Sequence, residues 1–205
     1  MRPWTNSGPN SPTKLPCASI LSGEPDKRLS LICVDWGTTN LRAYAVANDG
    51  MVTEHVENNQ GLRSNPNSYS DCLKAVVHGW IDDARPVNIL LSGMVGSPAG
   101  WQEVPYIPTP ASSAELAAEA KLVTQINGCP VWILPGVKGT GISGMPDVLR
   151  GEETQFFGAQ RLSAHQYSRQ PDIWCFPGTH NKWILGGESI DHFSTSMVGE
   201  FFELI

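Results

Sequence analysis

The residues best equipped for chemistry stand in the run Asp35-Trp-Gly-Thr-Thr-Asn40, with an apolar stretch before it and another, Leu41-Arg-Ala-Tyr44, directly after it. A glycine in such a turn lets backbone N–H groups approach phosphate oxygens closely. The hydroxyls of Thr38 and Thr39 add donors. Asp35 is placed to hold Mg²⁺ through water, because that ion keeps most of its hydration shell. An ordinary Gly-Thr turn capped by an aspartate would use the same residue types. Asp-x-Gly-Thr-Thr leaving a buried strand and re-entering another is more specific, and it predicts a phosphate-and-magnesium half-site.

Several elements must position this turn. Leu31-Ile-Cys-Val-Asp35 reads as a buried strand. Two more strands are predicted over Leu41–Ala47 and Met51–Glu57, joined by the turn signal Asn48-Asp49-Gly50. A helix follows, capped by Ser68 or Ser70, with Leu73, Val76, Val77, Trp80 and Ile81 at helical spacing. Val87–Leu91 reads as a fourth strand, residues 111–125 as a helix and Val131–Leu134 as a fifth strand. Three antiparallel strands followed by alternating helix and strand is the order of a ribonuclease H-like α/β domain, with helices on a mixed five-stranded sheet. Beyond it, Gly151–Ala164 reads as a helix. Ile173–Phe176, Lys182–Leu185 and Ser189–Phe193 read as strands, and Thr195 opens a last helix.

Composition narrows the function classes. The 14 basic and 20 acidic residues give a net charge of −6, which argues against a nucleic-acid scaffold. Five scattered cysteines suit free thiols in a reducing compartment better than disulfides or a zinc site. No apolar run has membrane-spanning length, and the N-terminus lacks the pattern of a signal peptide. A soluble cytoplasmic protein is expected. Residues 1–28, rich in Pro, Ser, Gly and Asn, read as a disordered extension or as translation from a start codon placed too far upstream. Gly139-Thr-Gly-Ile-Ser-Gly144 matches a dinucleotide-binding pattern, but Met145-Pro146 prevents a helix from opening there. A flexible loop beside the cleft is expected instead. Neither a His-Glu-x-x-His nor a Gly-x-Ser-x-Gly motif is present.

The hairpin resembles the first phosphate loop of the actin, hexokinase and heat-shock ATPase superfamily. Five further segments resemble one branch of it, the 2-keto-3-deoxygalactonate kinases. They are Ser92-Gly-Met-Val-Gly-Ser97, Gly100-Trp-Gln-Glu-Val-Pro-Tyr106, Pro146-Asp-Val-Leu-Arg-Gly-Glu-Glu-Thr-Gln155, Pro177-Gly-Thr-His-Asn-Lys-Trp183 and Phe193-Ser-Thr-Ser-Met-Val-Gly-Glu-Phe201. All five follow the family's order.

The resemblance implies an ATP-dependent, Mg²⁺-assisted kinase for the terminal hydroxyl of 2-keto-3-deoxygalactonate. It implies that Gly37, Thr38, Thr39, Asn40 and Arg42 meet the nucleotide, and that Gly178, Thr179 and His180 form a second phosphate loop. A solvent-facing β-turn is the plainer reading of that second loop. Glu152 matches the family's catalytic base. Glu153 can serve instead, and either carboxylate can simply favour a helix N-terminus. Ser92, Met94, Ser97, Trp101, Glu103, Tyr106 and Arg150 are implied sugar-acid contacts, although Trp101 and Tyr106 fit ordinary aromatic packing equally well. Arg42, Arg63 and Arg150 are equal candidates for the substrate carboxylate.

The same resemblance divides the chain into a first domain over 29–176 and the opening of a second over 177–205. In the family, that second domain supplies the adenosine pocket. Two readings follow: a kinase, or a truncated fragment that binds the sugar acid without turnover. A kinase for a different sugar acid would differ only in pocket contacts.

Overall fold

Alternating burial of small and apolar side chains builds the first layer. In the computed structural model, which describes residues 26–64, 68–82, 84–164, 171–178 and 180–204, the chain runs β1 (Leu29–Trp36), β2 (Leu41–Ala47), β3 (Val52–Asn58), α1 (Tyr69–Val77) and β4 (Asn88–Ser92). Two short strands, β5 (Ile107–Pro108) and β6 (Ala111–Ser112), precede α2 (Ser113–Ala118), β7 (Lys121–Ile126) and β8 (Cys129–Ile133). Then come β9 (Val137–Thr140), β10 (Pro146–Leu149), α3 (Glu152–Ser163), β11 (Ile173–Phe176), β12 (Asn181–Gly186), β13 (Ser189–Ser196) and α4 (Val198–Glu203). The extension expected over residues 1–28 lies, through residue 25, outside the described residues.

The main sheet has the order β3-β2-β1-β4-β8-β7. β1 to β3 form an antiparallel meander, while β4 and β8 run parallel to β1. One face of this sheet buries Ile32, Val34, Trp36, Leu41, Ala43, Ile89, Leu91, Val131 and Ile133 against Leu73 and Val77 of α1. Fully burying one such Leu, Ile or Val contributes about 1.5–3 kcal/mol, so this face dominates the stability of the domain. Ser68 caps α1, its hydroxyl accepting from Asp71 N–H at 3.2 Å.

Four expectations need correcting. The helix expected over 111–125 stops at Ala118, and β7 takes its second half as a sixth strand. The run Leu122-Val-Thr-Gln-Ile126 is β-prone, and Asn127-Gly128 is a hairpin signal that turns it into β8. Second, the stretch 139–144 is a loop only from 141: Gly139 and Thr140 end β9, which pairs antiparallel with β10 from Thr140↔Pro146 to Val137↔Leu149. Third, α1 ends at Val77, and Trp80 donates its indole N–H to Glu54 Oε2 at 2.9 Å beyond the helix. Fourth, the last helix starts at Val198, because β13 keeps pairing with β12 as far as Ser196↔Asn181.

A second sheet, β11-β12-β13-β6, carries the C-terminal strands. β11 and β12, on either side of residue 176, pair directly within it. It shares a second core with α3, in which Ala111, Leu116, Val137, Leu149, Phe156, Ile184, Ile190 and Phe193 are buried.

Candidate phosphate and sugar-acid site

The site grows from three chain crossings at the C-terminal end of β1. Asp35 pairs in register with Arg42 of β2 on one side and with Ser92 of β4 on the other. Gly93 and Gly151 close over it with φ of +89° and +116°, a region that L side chains avoid. A Cβ on Gly93 would stand 2.9 Å from Trp36 O and 3.1 Å from Asp35 Oδ1, and one on Gly151 would meet Gly93 Cα at 3.5 Å. A side chain at Gly93 would force these atoms to move, whereas at Gly151 the left-handed φ alone disfavours one.

Partial burial pushes the Asp35 carboxyl above its ordinary range, opposed by the charge and hydrogen bond of Arg42. Arg42 stands 3.5 Å from Asp35 Oδ2 and donates from Nε to Glu57 Oε1 at 2.8 Å. That guanidinium is already engaged by two carboxylates. The carboxylate also borders a cavity of about 510 Å³, whose other walls include Ser92, Tyr44, Leu116, Thr154 and Phe157.

The carbonyls of the hairpin are all engaged within the fold. Gly37 N–H donates to Asn40 O at 2.9 Å, closing the turn. The carbonyls of Gly37, Thr38 and Thr39 accept from Leu62, Arg63 and Gly61. Among the described residues, the N–H groups of Thr38 and Thr39 donate to nothing, and both residues are exposed. Two unspent amides, two hydroxyls and a nearby carboxylate fit a metal-bound polyphosphate.

The sugar-acid candidates fall into two groups. Ser92 is buried and donates weakly to Val34 O at 3.4 Å. Trp101 stacks on Tyr69 at 5.9 Å and meets Trp36 edge-on, so its ring belongs to the core margin. Met94 is half-buried and Glu103 exposed, and neither side chain makes a polar contact among the described residues. Ser97, Tyr106 and Arg150 come together. The Arg150 guanidinium lies 4.0 Å from the Tyr106 ring centre and donates from Nη2 to Val104 O at 3.0 Å. Its Nε and Nη1, and the Ser97 hydroxyl, are buried with no hydrogen-bond partner. Buried donors left unmade cost about 1–3 kcal/mol each, which marks this corner as built for something other than itself.

At the start of α3 the two glutamates divide. Glu152 Oε2 accepts from Arg150 N–H at 3.0 Å and remains half-buried. Glu153 is fully buried and accepts from Gly151 N–H with both oxygens, at 2.8 and 2.7 Å. Burial pushes its carboxyl up to about 7. Glu153 therefore holds the glycine that abuts Gly93 beside Asp35, and sequence spacing alone did not reveal that.

The expected second loop lies on an exposed turn between β11 and β12. Gly178 N–H donates to Asn181 Oδ1 at 3.1 Å, and His180 Nε2 lies 3.1 Å from Glu200 Oε2. Thr179 lies outside the described residues. No described hydrogen bond or ion pair joins Gly178 or His180 to the first hairpin. Sequence reasoning also passed over the network that ties β10 to β12 and β13. In it Lys182 Nζ donates to Val148 O at 2.8 Å and to Thr195 Oγ1 at 2.6 Å, while Asp147 accepts from Thr195 N–H and Oγ1, each at 2.7 Å. A lysine alternating with Ile184 on a strand's buried side is the signal that was available.

A mixed sheet with β1 to β3 antiparallel and β4 parallel, carrying the Asp35 hairpin at the C-terminal end of β1, is the ribonuclease H-like fold of actin-like ATPases. Residues 35–205 match the family model described as 2-keto-3-deoxy-galactonokinase, and the chain belongs to that family. A protein of Rhizobium meliloti (strain 1021) named as a 2-dehydro-3-deoxygalactonokinase is 35% identical over 180 residues, covering 84% of this chain and 55% of its own length. The 2-dehydro-3-deoxygalactonokinase of Escherichia coli (strain K12) is 33% identical over 175 residues, covering 85% and 56%. A Sinorhizobium meliloti crystal structure titled for the same activity superposes with a TM-score of 0.70 at 33% identity, covering 85% of this chain and 55% of that one. The chain thus spans about half the length of the relatives it matches.

Proposed function

We propose that the chain carries the phosphate-gripping and sugar-acid-binding half of an ATP-dependent kinase acting on 2-keto-3-deoxygalactonate in the cytoplasm. The observation that carries the reading is the hairpin Gly37–Asn40, whose carbonyls are tied back while the Thr38 and Thr39 amides stay unspent beside Asp35. Residues 29–176 supply this half, and residues 177–205 begin the lobe with the second loop.

In this reading the amides of Thr38 and Thr39 hold the β- and γ-phosphates, and Gly178, Thr179 and His180 approach them from the other side. Mg²⁺, held through Asp35, would neutralise charge developing on the transferred group. Glu152 accepts the proton of the sugar's terminal hydroxyl as that oxygen bonds to the γ-phosphorus and the bond to ADP breaks. Its carboxylate is half-buried and keeps one oxygen free of the Arg150 amide. Glu153 fits a structural role, since both its oxygens are committed to Gly151 N–H. Arg150 suits the substrate carboxylate better than Arg42, which already serves Asp35 and Glu57. Its unpaired Nε and Nη1 suit a planar anion.

The test is ADP release by the purified chain with 2-keto-3-deoxygalactonate, ATP and Mg²⁺. Turnover that falls by about two orders of magnitude or more in Asp35→Asn and in Glu152→Gln supports the reading. Keto-acid-dependent turnover unaffected by either substitution, or a chain that binds neither Mg²⁺-pyrophosphate nor the keto-acid, overturns it.

A further inference from the structure

Three consecutive amides grip the phosphate hairpin from outside it. Gly61 N–H donates to Thr39 O at 3.0 Å, Leu62 N–H to Gly37 O at 3.1 Å and Arg63 N–H to Thr38 O at 2.8 Å. The residue before them is tied as well, because Trp36 Nε1 donates to Gln60 O at 2.9 Å. Thus the segment after β3 is pinned both to the end of β1 and to the turn that β1 enters.

The contact is as close as a backbone permits. A Cβ on Gly61 would stand 2.3 Å from the Thr39 carbonyl carbon and 2.6 Å from the carbonyl carbon and oxygen of Thr38. Those are main-chain atoms, which no rotamer change can move aside. The register of the hairpin therefore depends on residue 61 having no side chain.

This grip delivers a cation. Arg63 is exposed, its own amide touches the hairpin, and among the described residues its side chain makes no ion pair or hydrogen bond. Arg42, the other arginine at the hairpin, is held by Asp35 and Glu57. A polyphosphate brings several negative charges to a turn whose remaining donors are neutral amides and hydroxyls, so the unengaged guanidinium carried by the residue whose amide donates to Thr38 O is the natural counter-charge.

We infer that Gln60–Arg63 is a second built part of the phosphate half-site: Gly61 sets the direction of the Thr38 and Thr39 amides, and Arg63 contacts the bound phosphates. This rests on the phosphate reading above, and it removes Arg63 from the candidates for the sugar carboxylate.

Titration calorimetry of the full chain with Mg²⁺-pyrophosphate, and separately with 2-keto-3-deoxygalactonate, tests it. Arg63→Gln should weaken pyrophosphate about tenfold, the loss of one charge-assisted hydrogen bond, and change sugar-acid affinity less than about twofold. Arg63→Lys should recover most of the loss, because the charge remains. Gly61→Ala should weaken pyrophosphate at least as much, again sparing the sugar acid. Where Gly61→Ala does not fold, the Arg63 pair decides. Wild-type pyrophosphate affinity in Arg63→Gln, or a loss falling on the sugar acid instead, overturns the inference alone. A wild-type chain that binds no pyrophosphate overturns it together with the phosphate reading.

Discussion

The two sheets use the same alternating pattern and end in opposite conditions. In the first, Ile32, Val34 and Trp36 of β1 and Leu41 and Ala43 of β2 are all at 0–1% exposure, sealed by α1. In the second, Ile184 is buried against α3, while Trp183 and Leu185 on the other face are 45% and 41% exposed. Val198, Phe201 and Phe202 of α4, and Leu204 after it, are exposed as well. The chemistry follows the packing. The Asp35 hairpin stands on a sealed platform with every carbonyl of its turn engaged, whereas His180 stands on an exposed turn whose described ion-pair partner is Glu200. A turn is only as well placed as the layer beneath it, so the Asp35 hairpin is fixed on its sheet in a way the Gly178–His180 turn is not.

Paired substitutions put the largest strain on this contrast. Trp36→Ala should cost about 3–5 kcal/mol in denaturant unfolding, because a fully buried indole leaves a cavity and orphans Gln60 O. Trp183→Ala, at a face open to water, should cost less than about 1 kcal/mol. Equal losses would erase the distinction between the sheets.

Next in size is a pH effect at the junction of the two layers. Burial raises the Glu153 carboxyl to about 7 from an ordinary 4.5, so the folded chain retains a proton that the unfolded chain releases. Its contribution is complete below pH 4.5 and is lost as pH rises to about 7, by roughly 3 kcal/mol at most. Glu153→Gln should flatten unfolding free energy across that window while still accepting from Gly151. A slope unchanged by the substitution would assign the pH dependence to other groups.

The smallest effect probes what holds the second sheet in place. Lys182→Met should cost about 1–3 kcal/mol, because it removes the donor to Val148 O and Thr195 Oγ1 from a buried position. Thermal unfolding compared with Thr195→Val should show coupling between the two sites, since they share one network. Additive losses would mean that β10 and β13 are held by packing alone.

Much of this molecule was legible in its residues. Period-two burial with Asn48-Asp49-Gly50 between strands marked the meander, and Asp-x-Gly-Thr-Thr marked the grip, because strand alternation and turn chemistry are local. β7 was hidden because an Ala- and Glu-rich run precedes it, and helix propensity carried the reading past Ala118 into a β-branched segment. The stretch 139–144 was half legible: Gly141 and Gly144 do lie in a turn, but that turn closes a paired hairpin whose first strand already holds Gly139.

The sequence by itself determined the fold class, the Asp35 turn between two strands and the family to which the chain belongs, since each rests on short runs whose meaning survives without their neighbours. Only the tertiary structure decided how the charged groups are employed. It engaged Arg42 with Asp35 and Glu57, folded Glu153 back onto Gly151, left Arg150 and Ser97 with unspent donors, and set Gly61 against the hairpin. Among them, Arg42 meets Glu57 from 15 positions away along the chain. No local pattern encodes which carboxylate an arginine meets across a sheet, because that choice is made by register and burial once the layers close.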